Sequence, residues 1–259
     1  MDLQLIGRRA VVTGGSRGIG LAVGRALAAE GADVALVARD AEALARAAEE
    51  VAAIGAGRAI GVPADTGDDA SVAAMAEEVV RRFGGVDILV NAAAPANRGA
   101  FPESALEDQI NVKVRGYLRT ARAFAPLMTA QGWGRIVNIS GLAARQTGSV
   151  VGSVRNVAVA ALSKNLADEL GPQGVNVTVV HPGVTRTERT PQVLAELAEA
   201  RGTDVEEALR VMESGVSIGR MVTAEEVASV VAFLASPLSV ALNGDPVVAG
   251  GGVLGPIHY

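Results

Sequence analysis

The segment VVTGGSRGIGLAVGRAL (residues 11–27) joins an apolar run to a helix-forming run through a glycine-rich turn. Glycine adopts the backbone angles of tight turns, and because it has no Cβ it lets another group approach the backbone closely. The glycines at 14, 18 and 20 come just where the helix begins. A helix starting there directs free N–H groups and its positive dipole end at the turn. The segment therefore predicts a strand–turn–helix unit that binds the pyrophosphate of a dinucleotide.

The same strand–helix alternation continues along the chain. Runs such as VALV and ILV are continuously apolar, which is typical of parallel strands covered by helices on both faces. We predict strands over 9–15, 33–39, 57–63, 86–92, 134–140, 175–182 and 245–251, and helices over 18–30, 41–54, 69–83, 104–130, 150–170 and 223–235. This order predicts an α/β doubly wound parallel sheet (Rossmann fold) with three α/β/α layers. Since no linker or repeat interrupts it, we predict that residues 1–259 form one domain.

Residues 184–220 break the alternation with two short amphipathic helices after the sixth strand. In open α/β sheets, ligands bind beyond the carboxyl ends of the strands. The segment is therefore interpreted as a substrate lid, and the alternative is a surface helical hairpin.

Composition narrows the function classes. The 259 residues are 49% apolar and 20% charged, as in a compact domain, and the net charge of −5 argues against a nucleic-acid surface. With no cysteine and only His181 and His258, we expect no metal site. No stretch has the length of a signal peptide core or a membrane span. We expect a cytoplasmic protein that acts on a small molecule and binds neither membrane nor nucleic acid.

Six blocks of the sequence resemble the short-chain dehydrogenase/reductase family over nearly the whole chain. The glycine turn has the form T-G-x-x-x-G-x-G, and it is followed in order by NAAA (91–94), INVKVRGYL (110–118), GRIVNIS (134–140), HPGVTRT (181–187) and GRMVTAEEVASVVAFLASPLSVALNG (219–244). The resemblance implies an oxidoreductase that binds a nicotinamide dinucleotide. It also implies a homotetramer assembled through helices 104–130 and 150–170.

The resemblance also implies which residues contact the cofactor. They lie in the glycine turn, at the ends of the second, third and fourth strands, in the helix at 150–170 and in HPGVTRT. The predicted cofactor-binding residues are Gly14, Ser16, Arg17, Gly18, Ile19, Gly20, Arg39, Asp65, Asn91, Ala92, Asn156, Pro182, Gly183 and Thr187. Asp65 matches a family aspartate that contacts adenine, and its alternative role is to cap the next helix.

The end of the second strand indicates the cofactor preference. Enzymes that prefer NAD place a carboxylate there for the ribose 2′-hydroxyl, whereas an arginine favours the 2′-phosphate of NADP. Here the strand ends in Ala38 and Arg39, and Arg17 of the glycine turn adds a second cation. Guanidinium groups bind phosphate in bidentate fashion. We therefore expect NADP(H) to be preferred over NAD(H). The alternative is two solvated arginines, with Asp40 capping the following helix.

The catalytic residues of the family are only partly present. In the family a serine polarises the substrate carbonyl, a tyrosine transfers the proton, and a lysine four residues later lowers the tyrosine pKa. Counting back from LSKNLADELGPQGVNVTVVHPG (162–183) places Gly152 at the tyrosine position and Asn156 at the lysine position. No tyrosine lies between 118 and 258, so another register does not restore the pair. The catalytic candidates are Ser140, Asn111 and Asn156; alternatively, the Ser140 hydroxyl only satisfies the backbone.

Three other groups are candidate proton donors. Tyr117 is six residues from Asn111 and is more often a core or subunit-contact residue at such a position. His181 is more often structural, and the tail GPIHY (255–259) would have to reach the site of a neighbouring subunit.

Two functions from different classes fit these features. The first is an NADP(H)-binding oxidoreductase with a non-standard active site that reduces a carbonyl or a conjugated double bond. The second is a non-catalytic NADP(H)-binding sensor or partner subunit; lyase or isomerase chemistry ranks last. Residues 95–102 and 184–220 are expected to line the substrate pocket. Arg98, Arg145 and Arg186 either receive an anionic substrate or are solvated.

Overall fold

A computed structural model of the protein describes residues 1–95 and 103–254, and for 103–105 only the backbone. The strands are β1 (Arg9–Thr13), β2 (Asp33–Ala38), β3 (Ala59–Pro63), β4 (Ile88–Asn91), β5 (Gly134–Ile139), β6 (Val175–Pro182), β7 (Thr185–Arg186), β8 (Val222–Thr223) and β9 (Pro246–Ala249). Seven of them form a fully parallel sheet in the order β3-β2-β1-β4-β5-β6-β9. The strand order reverses between β1 and β4, and a ligand cleft is expected at such a switch point.

The helices connect the strands and cover both faces of the sheet. They are α1 (Gly18–Ala29), α2 (Ala41–Ala52), α3 (Asp69–Phe83), α4 (Glu103–Gln109), α5 (Gly116–Ala130), α6 (Val150–Leu170), α7 (Thr190–Arg201), α8 (Val205–Ser214) and α9 (Ala224–Ala235). One buried cluster joins the sheet to α1, α2 and α9, and a second joins it to α3, α5 and α6. Neighbouring strand residues face opposite clusters, as Val11 and Val12 do. The predicted three-layer, doubly wound single-domain fold is confirmed.

The predicted helix over 104–130 differs from the observed structure. It is divided by a π-helical segment, Ile110–Arg115, between α4 and α5. A π-helical turn holds an extra residue, which changes the directions of the side chains that follow, and such turns are frequent at functional sites. Hydrophobic periodicity over the whole span does not reveal this local change, because the flanking helices keep their apolar faces.

The region 184–220 forms α7 and α8, which pack on each other around Leu194, Ala198 and Ala208. Before α7, strand β7 pairs in parallel with β8, which follows α8. The sequence did not predict this two-stranded sheet. In the described ranges 1–95 and 103–254, no helix is both long and apolar enough to cross a membrane.

Candidate active site

A large cleft of about 1440 Å³ runs along the carboxyl ends of the strands. One end is lined by the turns after β1, β2 and β3. The other end, called the far end here, is lined by Lys113, Ser140, Gly141, Asn156 and Pro182. The loops from several strands meet here because parallel strands all present their carboxyl ends to the same edge.

The glycine turn at 14–20 is closely packed on the neighbouring strand end. Gly14 has φ +69°, and a Cβ on it would lie 2.8 Å from the carbonyl oxygen of Ala92. A Cβ on Gly20 would lie 2.2 Å from the carbonyl oxygen of Gly14. Both positions require glycine, so the backbone at 14 and 20 packs closely with no side chain in the way.

The N-terminus of α1 lacks the side-chain cap that α2, α3, α6 and α9 have. Its N-cap residue is Arg17, which makes no capping hydrogen bond with its side chain, and its first turn has no acidic residue. The free N–H groups and the positive dipole end of α1 therefore face the cleft and suit an anion such as pyrophosphate.

Two arginines lie at the β2 end of the cleft. Arg17 and Arg39 are both exposed and line it, and within the described residues neither forms a salt bridge. The carboxylate nearest in sequence, Asp40, accepts a hydrogen bond from the Ala43 N–H at 3.0 Å and is the N-cap of α2. The suggested capping role of Asp40 is confirmed. The two guanidinium groups remain available for a phosphate.

The ends of β3 and β4 are arranged differently. Asp65 lines the cleft, and its Oδ1 accepts the Gly67 N–H at 2.8 Å, while Asp68 is the cap of α3. The helix-cap alternative for Asp65 is therefore wrong. Asn91 is fully buried and bonds to Thr120 Oγ1 at 2.8 Å, so its side chain lies beneath the cleft.

The remaining predicted cofactor residues lie along the same wall. Ala92 follows β4 and also lines the cleft. Pro182 ends β6, Gly183 follows it and Thr187 follows β7. A Cβ on Gly18 would lie 3.8 Å from the Thr187 methyl carbon. The glycine turn and the HPGVTRT block thus face each other across the cleft. Ser16 and Ile19 complete the turn.

Helix α6 places Gly152 in its first turn. Ser149 is the N-cap, and its Oγ accepts the Gly152 N–H at 3.0 Å. A Cβ on Gly152 would lie 2.9 Å from that Oγ and 3.4 Å from the Cβ of Ala143. The position expected to hold a tyrosine is therefore closely packed around glycine.

Asn156 lies one turn further along α6 and is buried, with 3% of its surface exposed. Its amide nitrogen is 2.9 Å from the place that a Cβ on Gly141 would take. Ser140 donates its hydroxyl hydrogen bond to the backbone carbonyl of Asn156 at 3.0 Å. To donate to a substrate oxygen, this hydroxyl would have to break its hydrogen bond to the Asn156 carbonyl. The contact favours the alternative in which Ser140 satisfies the backbone.

Lys113 is the functional candidate that sequence reasoning missed. It lies in the π-helical segment, is 4% exposed, and its Nζ donates to the carbonyl oxygen of Ser140 at 2.9 Å and to Asn156 Oδ1 at 3.1 Å. Burial, together with the nearby cation of Arg155, lowers the pKa of Lys113 to about 7. A usable signal was its rarity, since Lys113 and Lys164 are the only lysines in a chain with 23 basic residues.

Asn111, predicted to be catalytic, points elsewhere. Its amide donates to the carbonyl oxygen of Gly67 at 3.1 Å, and its oxygen accepts from Arg119 at 3.1 Å. It therefore fastens the loop that carries Asp65. Residues two apart on a helix point to nearly opposite sides, and it is Lys113 whose side chain contacts Asn156.

Two other suggested proton donors, Tyr117 and His181, are buried outside the cleft lining. Tyr117 is a core residue, as expected, and its hydroxyl donates to Ile139 O at 3.0 Å; burial raises its pKa. His181 is buried, its Nδ1 accepts the Gly141 N–H at 3.4 Å, and burial with the cations of Arg145 and Lys113 lowers its pKa to about 4. Neither lines the cleft. The tail 255–259 lies outside the described residues.

The arginines suggested for an anionic substrate are not gathered into one site among the described residues. Arg186 is exposed and pairs with Glu213 at 3.5 Å, whereas Arg98 and most of 95–102 lie outside the described residues. Within 1–95 and 103–254, no group of three or more His, Asp or Glu side chains is arranged to hold a metal ion.

Comparisons with known proteins find matches over nearly the whole chain. The family model described as enoyl-(acyl carrier protein) reductase matches residues 14–254. The chain is 36% identical over 248 residues to the short-chain reductase protein NovJ of Streptomyces niveus, covering 94% of this chain and 92% of the relative. It is 32% identical over 258 residues to 3-oxoacyl-[acyl-carrier-protein] reductase FabG of Aquifex aeolicus, covering 98% and 100%. It also resembles the crystal structure of L-sorbose reductase from Gluconobacter frateurii with NADPH and L-sorbose, with a TM-score of 0.93, 30% identity and coverage of 99% and 100%.

Proposed function

Because the chain belongs to the short-chain dehydrogenase/reductase family, we propose that it is an NADP(H)-dependent oxidoreductase with a non-standard active site. It reduces a carbonyl or a conjugated double bond of a small molecule. The observation that carries the proposal is the uncapped N-terminus of α1 beside Arg17 and Arg39, at one end of a cleft long enough to reach Asn156. Bound NADPH would supply the hydride at the far end.

The residues present fit this cofactor. Gly14 and Gly20 keep side chains out of the turn, so that the backbone N–H groups of α1 can bind the pyrophosphate. Arg17 and Arg39 can neutralise a 2′-phosphate, which NAD(H) lacks. Asp65 retains one carboxylate oxygen beyond its bond to the Gly67 N–H, and this oxygen is available to the adenine.

The non-standard site is a remodelled one rather than a standard site that lost two residues. Close packing around Gly152 and the Asn156 amide against Gly141 support this view, because deletion of large side chains alone would leave open space. The Lys113 amine at Asn156 supports it further, since a buried amine is costly to keep without a role.

The substrate belongs among the carbonyl and enoyl classes named for the relatives. The family model is described for an enoyl thioester reductase, one relative for a 3-oxoacyl thioester, and one solved neighbour for a ketose. The test is NADPH oxidation with a panel of these three classes, together with titrations of NADPH and NADH. We expect tighter NADPH binding and turnover of at least one class. Tight NADPH binding without turnover supports the sensor or partner subunit, and absence of NADPH binding contradicts both.

We propose that α7 and α8 act as a substrate lid. Thr190, Val193 and Met212 from this hairpin line the cleft, whereas a hairpin lying on the surface alone would not reach it. Substrate-dependent protection of 190–214 in hydrogen exchange would support the lid, and unchanged exchange would contradict it.

We also propose a homotetramer. On α6, Val150, Val154 and Val157 are exposed by 57%, 44% and 51%, and their i, i+4, i+7 spacing forms one apolar stripe. Light scattering should give four times the chain mass, and Val157→Glu should give a smaller species, because a buried unpaired charge is costly. The cytoplasmic location remains a prediction from the sequence.

A further inference from the structure

We propose that the Lys113 ammonium is the proton donor of this active site and replaces the tyrosine that the family places at position 152. The inference rests on the proposed reductase function. The donors suggested from the sequence were Tyr117, His181 and the tail 255–259, whereas Lys113 comes from the π-helical segment between α4 and α5.

The position of the amine supports this role. Lys113 lines the cleft at its far end, beside Ser140 and Asn156. An ammonium has three N–H bonds, and two of them are directed to the Ser140 carbonyl and to Asn156 Oδ1. The third N–H is left for a substrate oxygen. Asn156, at the family's lysine position, therefore positions an amine that reaches the site from another helix.

The charges around Lys113 favour proton release. On α6 it faces Arg155, whose cation disfavours the ammonium, and on β6 it faces His181, which is neutral at pH 7. In the turn after β5, its Nζ donates to the carbonyl oxygen of Ser140, which is uncharged. Arg145, in the same region, is a cation that helps to lower the pKa of His181. Within the described residues no carboxylate lies within 4 Å of Nζ. Both protonation states of Lys113 are therefore accessible near neutral pH.

The step balances without another reactant. When a hydride from bound NADPH, whose C–H bond breaks, adds to the carbonyl carbon, the C=O π pair would move to the oxygen. That oxygen takes the third proton of Nζ, whose bonding pair stays on nitrogen as a neutral amine. The carbonyl is reduced to an alcohol and the nicotinamide is oxidised. The two remaining N–H bonds keep their acceptors, and solvent reprotonates the lone pair.

The direct test is ¹³C NMR of the whole protein labelled at the lysine Cε. Because the chain has two lysines, two signals are expected, and Lys113→Arg and Lys164→Met each assign one by its loss. Lys164 is exposed and paired with Asp168 on α6, so it serves as the internal control. We expect the Lys113 signal to titrate near pH 7 and its midpoint to shift on saturation with NADP⁺. The Lys164 signal should not respond to NADP⁺.

Kinetics with any substrate turned over by the wild type gives the second readout. Lys113→Arg keeps a cation but cannot release a proton near neutral pH, so kcat should fall by roughly 10²–10⁴. NADPH affinity should stay within about threefold, and Lys164→Met should match the wild type. Lys113→Met should lose kcat to a similar extent.

The possible results separate the two proposals. A Lys113 signal that stays charged through pH 9, or full kcat in Lys113→Arg, overturns the proton-donor role while leaving NADP(H) binding intact. Failure of the wild type to bind NADPH instead overturns the proposed function. Since the NMR titration is done on the wild type, it gives a result even if a Lys113 variant does not fold.

Discussion

Replacing Lys113 by methionine should change how the stability of the protein depends on pH. Methionine keeps a long unbranched side chain but has no titrating group. The pKa of Lys113 is lowered from 10.5 to about 7 by burial and by Arg155. Each tenfold change in acidity corresponds to about 1.4 kcal/mol, so charging this amine costs on the order of 5 kcal/mol more in the folded protein than in the unfolded chain.

The sign follows from the protons bound by each state. Between pH 7 and 10.5 the unfolded chain holds a proton on this lysine that the folded protein has largely lost, so unfolding becomes harder as pH rises. The cost is fully present below pH 7 and disappears above 10.5. From pH 6 to pH 9 the wild type should therefore gain about 2–3 kcal/mol of unfolding free energy relative to Lys113→Met.

The assay is urea unfolding of both proteins at pH 6 and pH 9, at one protein concentration. The variant also leaves the Ser140 carbonyl and Asn156 Oδ1 without their donor, which costs about 1–3 kcal/mol. This loss is the same at both pH values and cancels in the comparison. Lys164→Met, at an exposed site, should track the wild type within about 1 kcal/mol. A difference between wild type and Lys113→Met that does not change with pH would refute the charge state inferred for Lys113.

Three further predictions concern Arg39, near the end of β2, and the residues at the far end of the cleft. Arg39→Ala should weaken NADPH binding roughly 10- to 100-fold, because a charge-assisted hydrogen bond contributes about 1.5–3 kcal/mol. It should leave NADH binding unchanged. An equal loss of affinity for both cofactors in a fluorescence titration would count against a 2′-phosphate contact. The double variant Gly152→Tyr with Asn156→Lys should give little carbonyl reduction while Lys113 remains, because two cations then crowd one site. Adding Lys113→Asn should raise the rate of NADPH oxidation across a substrate panel. Equal rates for the double and the triple variant would mean that the two amines do not interact. Ser140→Ala should lower the unfolding free energy by about 1 kcal/mol and kcat by less than about tenfold, whereas a kcat loss of 10²–10³ would assign Ser140 the polarising role.

The fold and the end of the cleft formed by the turns after β1, β2 and β3 could be predicted because their signals are local in the sequence. The glycine turn requires glycine at 14 and 20 for reasons of backbone angle and close packing. The apolar strands could be predicted from their continuous runs, since helices cover both faces of the sheet. Arg17 and Arg39 follow from the strand and turn positions alone.

The far end was harder to predict because its geometry depends on contacts between distant elements. Lys113 and Asn156 are 43 positions apart and meet only because the chain contains a π-helical segment that no hydrophobic period reveals. Asn111 was expected to be catalytic from the resemblance, but it contacts Gly67 instead. The partner of the Ser140 hydroxyl, a helix carbonyl, likewise depends on how α6 packs against β5.

The most direct test of the proposed function follows deuterium from NADPH labelled at both C4 hydrogens into the product. The purified protein is incubated with 3-oxoacyl thioesters, enoyl thioesters and ketoses, and the products are analysed by mass spectrometry. An NADP(H)-dependent reductase with Lys113 as proton donor predicts a product one mass unit heavier than with unlabelled NADPH, formed by the wild type and strongly reduced in Lys113→Arg. NADPH binding without deuterium in any product would contradict the reductase and leave a nucleotide-binding protein on the same fold.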